Sequence, residues 1–258
     1  MAQVTLKNAS VELAIYNSRG RGLKNEILRR AVGGSLEDTR DRSVTVVHAL
    51  DAINLEVSSG ERIGLIGHNG AGKTTLLRVL GRIYPPTSGE ATITGRVSSL
   101  IDLSMGMDSE STGYENIVLR GVMLGLTRTQ ARALIPDVEE FSELGEYLNL
   151  PVRAYSSGML LRLAFAVSTA VRPDIVILDE VIGVGDASFA QRAEQRLHGM
   201  IDKAEIMFLA SHANNSIRRF CQRTLWLAGG KIVMDGPTDE VMDKYESANA
   251  AAAQEQAG

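Results

Sequence analysis

The chain has 258 residues, long enough for one large α/β domain or two small ones, with 44% hydrophobic and 22% charged residues, the balance of an ordinary folded soluble protein. A net charge of −4 argues against a global basic field for nucleic acid, and the single cysteine, Cys221, excludes an intrachain disulfide and fits a reducing cytosol. No apolar run approaches the roughly eighteen residues needed to span a bilayer, and the N-terminus lacks a charged-then-apolar signal pattern.

Residues 3–15 and 45–58 read as strands of an antiparallel sheet covered on one face, because Ile53, Leu55 and Val57 alternate with polar positions. Between them lies an insertion, residues 17–44. Its middle sets Leu23, Ile27, Leu28 and Ala31 on one helical face among Arg19, Arg21, Lys24, Arg29 and Arg30, and Gly33-Gly34 ends it. Two readings stand for this segment: a basic amphipathic helix lying on anionic lipid or a membrane partner, or a solvated insertion folded over the sheet.

The apolar run Arg62–Gly67 then leads into Gly67-His68-Asn69-Gly70-Ala71-Gly72-Lys73-Thr74, followed by Thr75 and an apolar helix start. This is G-x-x-x-x-G-K-T between a buried strand and a helix, the context a phosphate-binding loop needs. Glycines let successive N–H groups converge on phosphate oxygens, and the helix N-terminus adds its positive dipole end. Lys73 can reach the β- and γ-phosphates of a nucleotide, and the Thr74 hydroxyl can ligate Mg²⁺. A loop lysine is expected to pack little. Tyr84-Pro85-Pro86 is expected to stop the helix.

Residues 106–172 read as a helical subdomain. Thr127 with Gln130 is a capping-box pattern, and a helix from near Ser157 runs through Leu160, Leu161, Leu163, Ala164 and Val167 to a stop before Pro173. Buried parallel strands follow at 175–178 and 206–210. A hairpin of residues 224–228 and 231–235 turns on Gly229-Gly230. The Ala/Gln-rich end, residues 246–258, has no core face and is expected to fray.

Three short segments add chemistry to the phosphate loop. Strand 175–178 ends in Asp179-Glu180, which places two carboxylates at the carboxyl edge of a parallel sheet, where ligands bind in such folds. Asp179 is the candidate for Mg²⁺, directly or through water, and Glu180 the candidate base for the attacking water. His212 follows the next buried strand, where it can touch a γ-phosphate and orient water. Ser156-Ser157-Gly158-Met159 opens a helix and forms a further anion-binding helix end; read alone it is a helix cap.

Taken together, the glycine loop, the Ser-Ser-Gly segment, the Ile175–Glu180 strand and His212 resemble, in order and spacing, the ABC transporter ATPases, over about residues 3–240. Tyr155-Ser-Ser-Gly-Met followed by Arg-Leu-Ala-Phe, Glu180-Val-Ile-Gly-Val-Gly-Asp186 and Ser111-Thr-Gly-Tyr-Glu-Asn-Ile117 are similar to the subfamily that exports bacterial O antigens, capsules and teichoic acids. The resemblance implies an α/β P-loop NTPase core, with an N-terminal antiparallel β subdomain and an inserted helical subdomain, in one domain of residues 1–245.

It implies two copies paired head to tail, each ATP lying between the glycine loop of one and the Ser156–Met159 helix of the other. Asp186 would sit in a loop crossing that dimer. Tyr16 is the best match for an aromatic residue stacking on adenine, and an ordinary sheet tyrosine is the other reading. Most relatives place a Mg²⁺-binding glutamine where this chain has Asp102, an acid that could serve through water. The implied activity is Mg²⁺-dependent ATP hydrolysis at the cytoplasmic face of the bacterial inner membrane. It would power export of a lipid-linked polysaccharide, contacted mainly by a separate multi-span permease. The alternatives are an ABC ATPase for another substrate, or a soluble ABC ATPase acting on ribosomes or DNA. Against the latter stand the single glycine loop and the absence of sustained heptads. A GTPase is disfavoured because no Asn-Lys-x-Asp motif occurs.

Overall fold

The structure, a computed structural model, describes residues 1–16, 35–38, 44–101, 103–179, 187–211 and 213–255. The chain divides into two units, residues 1–94 with 208–258, and residues 95–207.

In the first unit, β1 (Gln3–Tyr16), β2 (Ser35–Asp38), β3 (Val44–Ser58) and β5 (Ser88–Thr94) form an antiparallel sheet in the order β2-β3-β1-β5. Alternation sets the buried face. Val4 and Leu6 of β1 oppose Val57 and Leu55 of β3, and all four are buried, with Ala9, Val11 and Ile53 continuing the face. The register shifts between Leu6 and Ala9, where Asn8 takes φ 48°. Asn54 answers the irregularity: its Oδ1 accepts from the Asn8 amide and its Nδ2 donates to Asn8 Oδ1, both at 2.9 Å.

The same unit holds β4 (Arg62–Ile66), the helix α1 (Lys73–Leu80), and a hairpin of β9 (Arg223–Ala228) and β10 (Lys231–Pro237). β4 runs parallel to β9, and beyond Arg62 every residue of it is buried. Gly64 is required there: a Cβ would stand 2.8 Å from Ile217 Cγ2 on helix α7 (Asn214–Phe220). The hairpin turns on Gly229 (φ 55°) and Gly230 (φ 78°), the paired positive dihedrals of a type I′ turn.

Helix α1 ends at Leu80, ahead of the proline pair expected to stop it. Arg82 takes φ 58°, the Arg82 amide donates to Val79 O and the Ile83 amide to Arg78 O. This is a Schellman closure with arginine in the place glycine usually holds. The last helix, α8 (Thr238–Glu255), is fixed by Arg218, which pairs with Asp239, Asp243 and Glu246, and by the edge of Trp226 against Tyr245. Helix α8 runs through Glu255, across part of the segment that the sequence marks as a tail. Residues 246–251 are exposed, but the alanine run has the highest intrinsic helix propensity and extends a helix already anchored upstream.

The second unit begins with β6 (Val97–Ser99), parallel to β7 (Ile175–Asp179). Between them lie α2 (Gly113–Met123), α3 (Arg128–Arg132), α4 (Ile135–Ser142), two 3₁₀ turns and α5 (Ser157–Ala170). Their shared core includes Ile117, Val138, Leu148, Leu163 and Val167. Both arms of the Thr127–Gln130 capping box are made, and Thr112 with Glu115 makes a second one at α2. Helix α6 (Ala187–Lys203) packs Phe189 against Phe141 and Phe165, while Arg196 pairs with Asp137 over the Phe141 ring. Strand β8 (Ile206–Ala210), wholly buried, returns the chain to the first unit.

Candidate functional site

The phosphate loop joins β4 to α1 within the first unit. Gly67 has φ 144°, and a Cβ there would meet Leu227 O at 2.2 Å; Gly72 has φ 106°, and a Cβ there would meet Ala49 O at 2.7 Å. Both glycines are therefore demanded by packing inside the chain as well as by dihedral. The loop is braced by the hairpin turn: the Gly230 amide donates to Ala71 O at 3.1 Å, and the Asp51 amide donates to Gly230 O at 2.9 Å. His68, Asn69 and Gly70 form its exposed crown. The brace by Gly229-Gly230 was not apparent from sequence, where the pair reads only as a turn.

Lys73, contrary to the expectation that it packs little, is 9% exposed. Its ammonium donates to Gly67 O at 2.5 Å and His68 O at 3.1 Å, which holds the charge at the loop. Thr74 and Thr75 are half-buried in the first turn of α1. Exposed crown amides, a helix N-terminus and one fixed cation form an arrangement that takes a polyphosphate.

In the second unit, β7 is buried along its length and ends at the half-buried Asp179. Thr74 and Asp179 both offer hard oxygen donors of the kind Mg²⁺ takes. Glu180, Asp186, His212 and Asp102 lie outside the described residues. Tyr16 closes β1 opposite Val44, and its side chain also lies outside the description.

Helix α5 starts at the Ser-Ser-Gly segment. Ser156 is its N-cap, and its Oγ accepts from the Met159 amide at 3.2 Å. The cap reading therefore holds, yet it does not account for the other residues. Ser156 and Ser157 are exposed, and a Cβ on Gly158 would meet only Ser156 Oγ at 3.9 Å. Among the described residues, nothing requires glycine at that position.

The approach to this helix is rigid. The Tyr155 hydroxyl donates to Tyr147 O at 2.8 Å, and a Cβ on Gly113 would stand 2.4 Å from that hydroxyl. Burial, with the nearby Tyr114, pushes the Tyr155 phenol upward, so it stays a neutral donor. Asn116, fully buried, accepts from the Asp108 amide and donates to the carbonyls of Asp108, Ser111 and Thr112. Gly113, Asn116 and Tyr155 fall inside the segments that carry the resemblance, but their supporting contacts do not show in the sequence.

Comparison with known proteins gives a consistent result. The sequence pattern of the ABC transporter family matches residues 50–183. The O-antigen export system ATP-binding protein RfbE of Yersinia enterocolitica is 45% identical over 232 residues, covering 90% of this chain and 97% of that protein. The O-antigen export system ATP-binding protein RfbB of Myxococcus xanthus is 40% identical over 87% of this chain, and the teichoic acids export ATP-binding protein TagH of Bacillus cereus is 33% identical over 95%. The matched region makes up 51% of RfbB and 42% of TagH. Among solved structures, a dimeric ATP-binding cassette in a post-hydrolysis state with ADP and Pi superposes with a TM-score of 0.62 at 19% identity, over 91% of this chain and 98% of that one. An ATP-binding subunit of an ABC transporter superposes with a TM-score of 0.65 at 20% identity, over 94% and 93%. These two likenesses concern the fold.

Proposed function

The chain belongs to the ABC transporter family, as one of its ATPases, and from that premise we propose that it powers export of a lipid-linked bacterial polysaccharide of the O-antigen type through a separate membrane permease. The substrate reading is supported by 45% identity along almost the whole of an O-antigen export ATP-binding protein, and by the teichoic acid relative. Among the described residues, no helix is long and apolar enough to cross a membrane. A permease supplied by another chain, with this subunit at the cytoplasmic face, accords with that.

The observation that carries the mechanism is the contrast at the two helix starts. The phosphate loop is complete within one copy. Ser156 and Ser157 at the start of α5 are exposed, and among the described residues no contact requires the glycine at 158. In the proposed dimer the Ser157 hydroxyl and the backbone at Gly158 face a nucleotide held by the other copy, where the missing Cβ permits close approach. Lys73 leaves its loop carbonyls for phosphate oxygens and neutralises charge at the β- and γ-positions. Thr74 and Asp179 would each supply an oxygen ligand to Mg²⁺, which would neutralise phosphate charge when bound. Glu180 takes a proton from the attacking water, and His212 orients that water. Contacts made only in the closed dimer drive closure, and loss of the γ-phosphate removes them.

The test is purification of the full chain from its native membrane with a mild detergent. The reading expects a multi-span membrane protein to co-purify, with a lipid-linked glycan identified in the complex. A complex carrying another class of substrate would refute polysaccharide export and leave the ATPase standing.

A further inference from the structure

Arg120 lies on α2, far in sequence from every motif, and is only 6% exposed. Among the described residues no carboxylate pairs with it, and its Nε has no hydrogen-bond partner. A cation taken out of water is costly, and oxygen dipoles offset only part of that cost. The guanidinium instead gathers three oxygens. It donates to the carbonyl of Leu103, to that of Met105 at 2.7 Å, and to Ser168 Oγ on α5 at 2.9 Å. The planar fork of arginine suits such a spread of acceptors.

Each of these partners belongs to an element that leads to the chemistry. Ser168 lies on α5, the helix that starts at the exposed Ser156 and Ser157. Its carbonyl accepts from Ser98 Oγ on β6 at 3.2 Å, and β6 is paired with β7, which delivers Asp179. Leu103–Gly106 is the turn into which the chain passes on leaving β6. The turn rests on α2: Gly106 has φ 79°, and a Cβ there would meet Met123 Sδ at 2.6 Å. Thus one buried side chain joins α2 to the turn and to α5, and the neighbouring Ser168 carbonyl carries the link on to β6.

We propose that Arg120 is a positioning residue, which fixes the Leu103–Gly106 turn and α5 against α2 and through that hold sets the turnover rate while leaving nucleotide affinity unchanged. The proposal rests on the ATPase assignment. It makes α2, whose Leu119, Val122 and Met123 are exposed, mechanically continuous with α5. A shift of about 1 Å in a catalytic constellation can lower a rate roughly a hundredfold, so a lost clamp is legible in kcat.

The experiment uses the full chain with Arg120→Met, Arg120→Lys and Ser168→Ala. Arg120→Met keeps much of the volume and removes the donors. It should lower kcat by about tenfold or more with KM for ATP within about twofold. Arg120→Lys, which retains the charge and can reach one carbonyl, should recover a large part of the loss, and Ser168→Ala should cost about two- to threefold. Hydrogen exchange supplies the readout independent of catalysis: amides of residues 103–107 should exchange about tenfold faster in Arg120→Met while those of Ile117 and Leu148 keep their protection. An unchanged kcat, a rise in KM matching the fall in kcat, or unchanged exchange in the turn would each overturn the proposal. If Arg120→Met does not fold, Arg120→Lys and Ser168→Ala decide on the same terms, and wild-type behaviour in both overturns it. A wild-type chain that fails to hydrolyse ATP would count against the ATPase assignment, while the exchange measurement would still decide the role of Arg120.

Discussion

The helix at Lys73 and the helix at Ser157 both begin beside glycine and hydroxyl residues, yet their surroundings differ in kind. At the first, Gly67 and Gly72 are hemmed in by Leu227 O and Ala49 O, the loop is tied to the Gly230 turn, and the lysine is bound to loop carbonyls. At the second, the serines are exposed and a Cβ on Gly158 would meet, among the described residues, only Ser156 Oγ at 3.9 Å. A glycine that packing requires serves the fold of its own chain. A glycine with room around it leaves space for a contact from outside the chain. The first helix start has the form of a phosphate cradle, and we propose that the second is half of a site.

The largest effect expected is that of Lys73→Ala. It removes the cation from the cradle and should lower ATP hydrolysis by about a hundredfold or more, as loss of a preorganised electrostatic group does. Because Lys73 is buried and bonded, the variant should also lose about 1–3 kcal/mol of stability, the scale of charge-assisted hydrogen bonds. Steady-state hydrolysis and a urea melt measure the two quantities separately. Wild-type turnover would remove Lys73 from the mechanism.

The sharper comparison is between two glycine-to-alanine changes. Gly67→Ala places a Cβ 2.2 Å from a backbone oxygen at a positive φ, and should cost about 2–4 kcal/mol of stability. Gly158→Ala introduces a better helix former into the first turn of α5, so stability should hold or rise by up to about 1 kcal/mol. Its hydrolysis should nevertheless fall about tenfold or more, because the added methyl stands where a second copy must approach. If Gly158→Ala is as active as the wild type, the half-site reading loses its main support.

Much of this was legible in the chain itself, for reasons that can be named. β3, β4, β7 and β8 announce themselves by alternating or continuous apolar runs, and the Thr127–Gln130 box by its spacing. The polar strand β5 and the three-residue β6 do not, because their strand state comes from pairing with β1 and β7 and not from their own composition. The stop of α1 was hidden because Arg82 occupies a dihedral that sequence reading assigns to glycine. Within the site, the residues proposed to touch phosphate fall in a motif, since backbone geometry there admits few alternatives. Gly230 and Arg120, which brace the loop and the 103–106 turn, are visible only once distant segments are brought together.

On the proposed mechanism, hydrolysis needs two copies, each completing the other's site. Glu180→Gln keeps size and hydrogen-bonding reach while removing the proposed base, so Mg-ATP should bind and remain unhydrolysed. Light scattering on this variant should show a monomer with ADP and a dimer of the chain with ATP. A variant that binds ATP without hydrolysing it, and stays monomeric at concentrations where the nucleotide is saturating, would contradict the claim.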